Sequence, residues 1–174
     1  HGSKSAELVL QPGDSLMVDA DAGNFDSTIR YSGRGAGIAN FVALHRIVFG
    51  RMNQYVMKAK VAINKEPAVF IRDLASEKKL RLDFLEAHKK DLPSSFIKFY
   101  TAYFTYYNYF FIQQYPQIHE VITRRKYTDS IPEKNFSVLK EMPEAFSDSF
   151  LQVPSYLLYL TGVFDIKLRA AGYW

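Results

Sequence analysis

The hydrophobic pattern of the chain changes its period abruptly at a glycine-rich segment, residues 33–37. Before this segment, apolar and polar residues alternate over short stretches separated by turn-forming residues, as they do along β-strands. After it, apolar residues recur at every third or fourth position, which is typical of amphipathic helices. The change predicts an α+β fold, in which a short antiparallel β-segment precedes a mostly α-helical bundle.

The β-part is expected within residues 1–35. Residues 7–10 and 15–19 flank the turn-forming pair Pro12-Gly13 and predict a hairpin. Residues 26–32 predict a third strand, with Ile29 and Tyr31 on one face. Because so few strands are marginal on their own, we expect a truncated or partnered β-region.

The helical domain is expected over residues 36–174. Its predicted helices begin or end at proline residues or at capping residues such as Ser94 or Ser95. They span residues 38–61, 67–92, 94–126, 135–141, 144–149 and a last run from Pro154. The third contains eleven aromatic residues covering nearly every face, which is typical of a helix in the middle of a bundle.

Composition excludes several function classes. The chain has no cysteine, which removes disulfides, thiolate metal sites and thiol catalysis. Its 22 basic and 18 acidic residues give a net charge of +4. This excess is dispersed, which favours a solvated surface over a nucleic-acid interface. The longest apolar region follows Leu92 and is interrupted by polar residues, so no transmembrane segment is expected.

Three motifs suggest chemistry but are better explained by structure. Residues 33–37, Gly-Arg-Gly-Ala-Gly, have the wrong spacing for a dinucleotide fingerprint and predict a flexible joint. Residues 19–24 depart from a calcium loop at three positions and predict a polar turn. His45 lies on an apolar helix face and is expected to be a hydrogen-bonded core imidazole. No catalytic residue, cofactor site or metal site is expected.

Tyrosines of the aromatic helix are the candidate contacts for a ligand or partner. Tyr100, Tyr103 and Tyr107 recur at helical spacing and could stack against a small molecule or a peptide. The same stripe is more often part of a protein core. An open pocket lined by these rings would favour binding, and complete burial would count against it.

Several segments together resemble a known family. They are LVLQPGDSL at residues 8–16, FDSTIRYSGRGA at 25–36 followed by Asn40-Phe41, the aromatic run 93–109, and the block from Phe146-Ser-Asp to residues 156–160. In this order they resemble the N-terminal extension of Bacteroidetes TlpA-like thiol-disulfide oxidoreductases, which belong to the thioredoxin-like proteins.

The resemblance implies a non-catalytic accessory region in the periplasm or cell envelope. In such proteins a small β-domain and a helical region precede a thioredoxin domain with a Cys-x-x-Cys pair. None of that family's catalytic residues maps onto this cysteine-free chain, which is therefore not expected to be an enzyme. The expected partner is the C-terminal thioredoxin domain of the parent chain, or a protein substrate. The start His1-Gly2-Ser3 also indicates a piece of a longer protein.

Two other functions stay open on the sequence. The first is an independent envelope protein that binds a small ligand in an aromatic-lined helical groove. The second is a basic helical nucleic-acid binder, which would need its Lys and Arg residues clustered on one side.

Overall fold

The N-terminal part of the protein forms a two-stranded antiparallel sheet. In a computed structural model, which describes residues 5–51, 53–124 and 148–172, strand β1 (Ser15–Asp19) pairs with strand β2 (Arg30–Arg34). The register places Met17 opposite Ser32. A one-turn helix, α1 (Phe25–Thr28), connects the two strands.

The predicted hairpin of residues 7–10 and 15–19 is wrong, because residues 15–19 pair with a different segment. Pro12-Gly13 does form a turn, in which the Asp14 amide donates to the Gln11 carbonyl at 3.0 Å, but residues 7–10 are not a strand. The predicted strand 26–32 instead begins at Arg30, because short polar side chains before it favour a helical turn. The Ser27 and Thr28 hydroxyls both donate to the Asn24 carbonyl, at 3.1 and 2.8 Å.

The sheet packs on the first long helix, α2 (Ala36–Phe49). Ile29 and Tyr31, which the sequence places on one face, are buried in one cluster, although Ile29 precedes β2. The Asn40 side chain fixes β2 to this helix, since it accepts from the Tyr31 amide at 2.9 Å and donates to the Tyr31 carbonyl at 2.8 Å. The division into domains 1–35 and 36–174 stays a prediction.

The glycines of residues 33–37 form the joint that the sequence predicts. Gly33 and Gly35 have φ values of 95° and 93°. Residues with a Cβ atom rarely adopt such values, whereas glycine does so readily. Gly37 lies inside α2, where a Cβ atom would collide with the Asp91 carbonyl. Gly33 and Gly35 therefore allow the chain to change direction sharply before α2. Gly37 allows α2 to approach the backbone at Asp91 closely.

The single helix predicted at 38–61 is two helices, α2 and α3 (Asn53–Ala62). Gly50 ends α2 with a φ of 79°, and its amide donates to the Arg46 carbonyl at 2.9 Å. A glycine at this position commonly terminates helices.

The remaining helices follow the predicted order. Helix α4 (Pro67–His88) begins at the predicted proline and leads into a 3-10 turn, Lys89–Asp91. Helix α5 (Ser94–Thr123) continues past Pro116, as predicted, but neither Ser94 nor Ser95 caps it, because Pro93 occupies the N-cap position. Helix α6 (Pro154–Ala170) follows a 3-10 turn, Asp148–Phe150. The predicted helix 135–141 and most of the predicted helix 144–149 lie outside the described residues.

Helix α5 lies between two apolar clusters. One cluster joins α2, α3 and α4 to one side of α5, and includes Phe70 and Phe104. The other joins α5 to α6, and includes Tyr106 and Tyr156. The aromatic helix is thus central, as its all-round apolar surface predicts. In the described part of the chain, no helix has the length and hydrophobicity that a membrane span requires.

Candidate functional site

A groove lies between α3 and α4. Its volume is about 780 Å³. Its lining residues come only from these two helices and the turn that joins them. They are Gln54, Met57, Lys58, Ala59, Val61, Ala62, Lys65, Asp73, Leu74, Ser76, Glu77 and Leu80. We call this surface the α3–α4 groove.

Apolar side chains in the groove face solvent. Met57, Val61 and Leu80 are 55%, 70% and 54% exposed. Met57 and Val61 are one turn apart on α3, and Leu80 projects from α4. The groove therefore offers an apolar strip that the described residues leave uncovered.

Ion pairs line the polar side of the strip. Lys58 contacts Glu77 at 3.0 Å across the two helices. Lys65 contacts the opposite carboxylate, Asp73, at 2.8 Å, and Arg72 contacts the same carboxylate at 3.2 Å. Asp73 is thus shared by two cations.

These contacts lower the pKa of both carboxylates below its ordinary value. Hydrogen bonds from Lys65 and then Arg72 lower the pKa of Asp73. Burial raises the pKa of Glu77, but hydrogen bonds from Arg81 and Lys58 outweigh burial, and the net shift is downward. A general acid or base works best with a pKa near the operating pH, so these groups suit charge recognition better than proton transfer.

A buried arginine lies beneath the groove. Arg81 is 0% exposed, and its guanidinium donates to the Glu77 carboxylate one turn away. The guanidinium also lies 4.9 Å from the ring centroid of Phe49 and 5.5 Å from that of Phe104. Cation–π contacts and an ion pair together compensate the desolvation of this charge. Arg81 thereby holds Glu77 in place at the groove.

His45 and Tyr100 lie in the same buried region as Arg81. Burial first, and then the positive charge of Arg81, lower the pKa of His45 to about 4. The ring is buried, as the sequence predicts, but its Nε2 atom has no hydrogen-bond partner among the described residues. The ring instead packs against aromatic neighbours, including Tyr100 at 5.8 Å between centroids. His45 is therefore neutral at physiological pH.

The three tyrosines named from the sequence do not share one environment. Tyr100 is 1% exposed, and burial raises the pKa of its hydroxyl. Tyr103 and Tyr107 are half-buried, with ring centroids 4.8 Å apart, and burial together with its neighbour Tyr107 raises the pKa of Tyr103. These rings do not line the α3–α4 groove. Their role as ligand contacts stays a prediction.

The calcium-like motif forms a polar turn, as the sequence predicts. The Asp21 carboxylate accepts from the Gly23 amide at 2.7 Å and from the Asn24 side chain at 3.3 Å. Within the described ranges, no group of three or more His, Asp or Glu side chains is placed to hold a metal ion.

Sequence reasoning missed both the groove and the buried arginine. Arg81 follows Phe70 and Leu74, and precedes Leu85, on the buried stripe of α4, so its place in the helical period was a usable signal. The groove had a weaker signal. Met57 and Val61 lie four residues apart on α3, and Leu80 stands between the charged residues Lys79 and Arg81 on α4.

Comparisons of the chain with protein-family models, with curated proteins and with solved structures found no match.

Proposed function

We propose that this chain is a non-catalytic binding module that holds a protein partner in the α3–α4 groove. The observation that carries the proposal is the uncovered apolar strip of Met57, Val61 and Leu80 in a groove of about 780 Å³. Contiguous exposed apolar surface bordered by polar residues is typical of protein interaction sites. The ion pairs around it would set the orientation of the partner.

The shape of the groove favours a protein partner over a small ligand. A small-molecule site encloses most of its ligand's surface, whereas the three main apolar side chains here are more than half exposed. An occupant would therefore keep one side in water. An amphipathic segment of a protein satisfies both conditions, since its apolar face enters the groove and its polar face remains solvated.

The partner we propose is a thioredoxin domain of the TlpA-like type, or a protein substrate of that domain. Support comes from the resemblance of residues 8–16 and 25–36 to the N-terminal extensions of those oxidoreductases, and from the absence of cysteine in this chain. Thiol chemistry would then be performed by the partner. On this proposal, the chain resides in the periplasm or cell envelope.

The absence of cysteine makes a site-specific test simple. A Val61→Cys variant would carry one thiol, which an environment-sensitive dye can label within the groove. Titration with a purified thioredoxin domain of a TlpA-like oxidoreductase should shift the dye emission to the blue with saturation.

Val121→Cys provides the matched control, because Val121 is 79% exposed on α5 and does not line the groove. A label at this position should not respond. Equal responses at both positions, or no response at either, would contradict the proposal.

A further inference from the structure

The charges around the α3–α4 groove are unequal in number. Four cations, Lys58, Lys65, Arg72 and Arg81, share two carboxylates, Asp73 and Glu77. The network therefore carries two positive charges in excess. Because Arg81 is fully buried, its charge cannot be turned away into solvent, and it neutralises Glu77 from below.

This arrangement leaves the exposed lysines partly available. Glu77 already has a permanent partner in Arg81, and Asp73 has a second partner in Arg72. The side chains of Lys58 and Lys65 are 53% and 47% exposed. Both can therefore turn toward an incoming anion without leaving a carboxylate of the groove unpaired.

From this surplus, and resting on the proposed function, we infer that the α3–α4 groove binds an acidic amphipathic helix. The apolar face of the helix packs on Met57, Val61 and Leu80, and its Asp or Glu residues pair with Lys58 and Lys65. Helix α3 has ten residues, a length of about 15 Å at 1.5 Å per residue. The groove thus accommodates roughly three turns of a partner helix. The apolar residues of that helix would contact the groove from positions i, i+3 or i+4, and i+7.

Two synthetic helical peptides of about 18 residues test the inference, a length at which isolated helices become stable enough to compare. Both carry the same leucine stripe, and their remaining positions are rich in Glu in one peptide and in Lys in the other. Binding is measured by anisotropy of labelled peptide against the full chain. The acidic peptide should bind at least about tenfold more tightly, and its affinity should fall when salt rises from about 0.05 M to about 0.5 M.

Variants of the chain assign the effect to the groove. The double variant Lys58→Gln with Lys65→Gln should weaken the acidic peptide about fivefold to tenfold, because each exposed charge contributes modestly. Lys79→Gln is the matched control, since Lys79 pairs with Asp83 on α4 and does not line the groove. It should change affinity less than about twofold.

The outcomes separate this inference from the proposed function. Equal or tighter binding of the basic peptide, or no loss in the double lysine variant, would overturn the acidic helix and leave the groove as a binding site. Loss of all peptide binding, together with a silent dye at position 61, would overturn both. Displacement of the acidic peptide by sodium dodecanoate with higher affinity would identify a small anionic amphiphile as the occupant, which also overturns the helix. A dye response that depends on protein concentration alone would identify a second copy instead, with the same consequence.

Discussion

The guanidinium of Arg81 lies in the core, and Glu77 supplies its counter-charge from one helical turn away. Removal of one partner from a buried pair leaves a desolvated charge, whereas removal of both leaves none. The pair is therefore expected to respond very differently to single and double substitution.

Glu77→Ala should lower the free energy of unfolding by about 3 kcal/mol, because the buried cation loses its carboxylate. The double variant Glu77→Ala with Arg81→Met should be less destabilised than Glu77→Ala alone. Urea unfolding followed by circular dichroism measures both changes. Asp83→Ala, which removes an exposed i,i+4 pair with Lys79, should cost less than about 0.5 kcal/mol. A double variant that is less stable than Glu77→Ala would contradict this account of the pair.

His45 should make stability depend on pH below neutrality. Its pKa in the folded protein is about 4, against about 6.5 in the unfolded chain. Between these values the unfolded state binds a proton that the folded state does not, so stability falls as pH falls. The loss attributable to this residue from pH 7 to pH 5 is about 2 kcal/mol.

Urea midpoints measured from pH 7 to pH 5 test the His45 prediction. His45→Leu removes the titrating group and should flatten this part of the profile, while His88→Gln, which replaces an exposed imidazole, should leave the fall in place. The lowered pKa of Glu77 acts in a different window, since the stability that it contributes is lost only at more acidic pH. An unchanged slope in His45→Leu would show that His45 is not the responsible group.

At the scale of elements, α2 approaches the turn after α4 so closely that only glycine fits at position 37. Alanine normally stabilises a helix interior by up to about 1 kcal/mol relative to glycine. Here its Cβ atom would collide with the backbone carbonyl of Asp91, which belongs to a 3-10 turn and cannot move freely. Alanine at this position is therefore expected to destabilise the protein instead of stabilising it.

Gly37→Ala should destabilise the protein by roughly 2 kcal/mol, as expected when a packed contact is overfilled. Gly162→Ala in α6 is the comparison, because its Cβ atom would meet the end of the Gln113 side chain, which can rotate. Thermal unfolding should place Gly162→Ala closer to the wild type. The opposite order would show that α2 and the turn separate more easily than their packing indicates.

The helices were predictable where local signals act alone, and the strands were not. Pro67 starts α4 because proline suits the first turn of a helix, and Gly50 carried an equally local stop signal that the apolar period of residues 38–61 obscured. Residues 7–10 and 15–19 alternate in a way that fits a hairpin, but the true partner of β1 is β2, which lies further along the chain. Pairing of strands depends on non-local contacts that alternation does not encode.

The candidate site was less predictable than the fold. Its apolar strip arises from two helices whose relative placement no local pattern specifies, so Met57 and Leu80 could not be assigned to one surface from sequence alone. Arg81 was accessible to pattern reasoning, since it interrupts the buried stripe of α4. The helical spacing of Tyr100, Tyr103 and Tyr107 did not show that Tyr100 is buried while the other two are half-buried, because spacing alone does not show which face of a helix is covered.

For the whole molecule, α5 determines how the parts unfold. It contributes Phe104 to the cluster with α2, α3 and α4, and Tyr106 to the cluster with α6. Because one helix belongs to both clusters, loss of packing in either should weaken the other. We therefore expect one cooperative transition rather than two.

Phe70→Ala and Tyr156→Ala change one residue in each cluster. Each should lower the free energy of unfolding by about 3 to 5 kcal/mol, and both should lower the midpoint of the same transition. Native-state hydrogen exchange tests more directly whether the two clusters unfold together. Tyr156→Ala should accelerate exchange of the slowest α4 amides by the same factor as those of α6. Faster exchange in α6 with unchanged α4 amides would mean that the two clusters are independent.

The two-stranded sheet has a consequence for how the protein behaves in concentrated solution. In the described ranges neither β1 nor β2 has a second neighbour. The Asn40 side chain already bonds the Tyr31 amide and carbonyl of β2, so the outer edge of β1 is the one that offers backbone groups for pairing with another chain. Strand β2 carries Arg30 and Arg34, which discourage such pairing, whereas β1 exposes Met17 and Val18. Aggregation by edge-to-edge association should therefore begin at β1. Val18→Lys should reduce this aggregation during long-term storage.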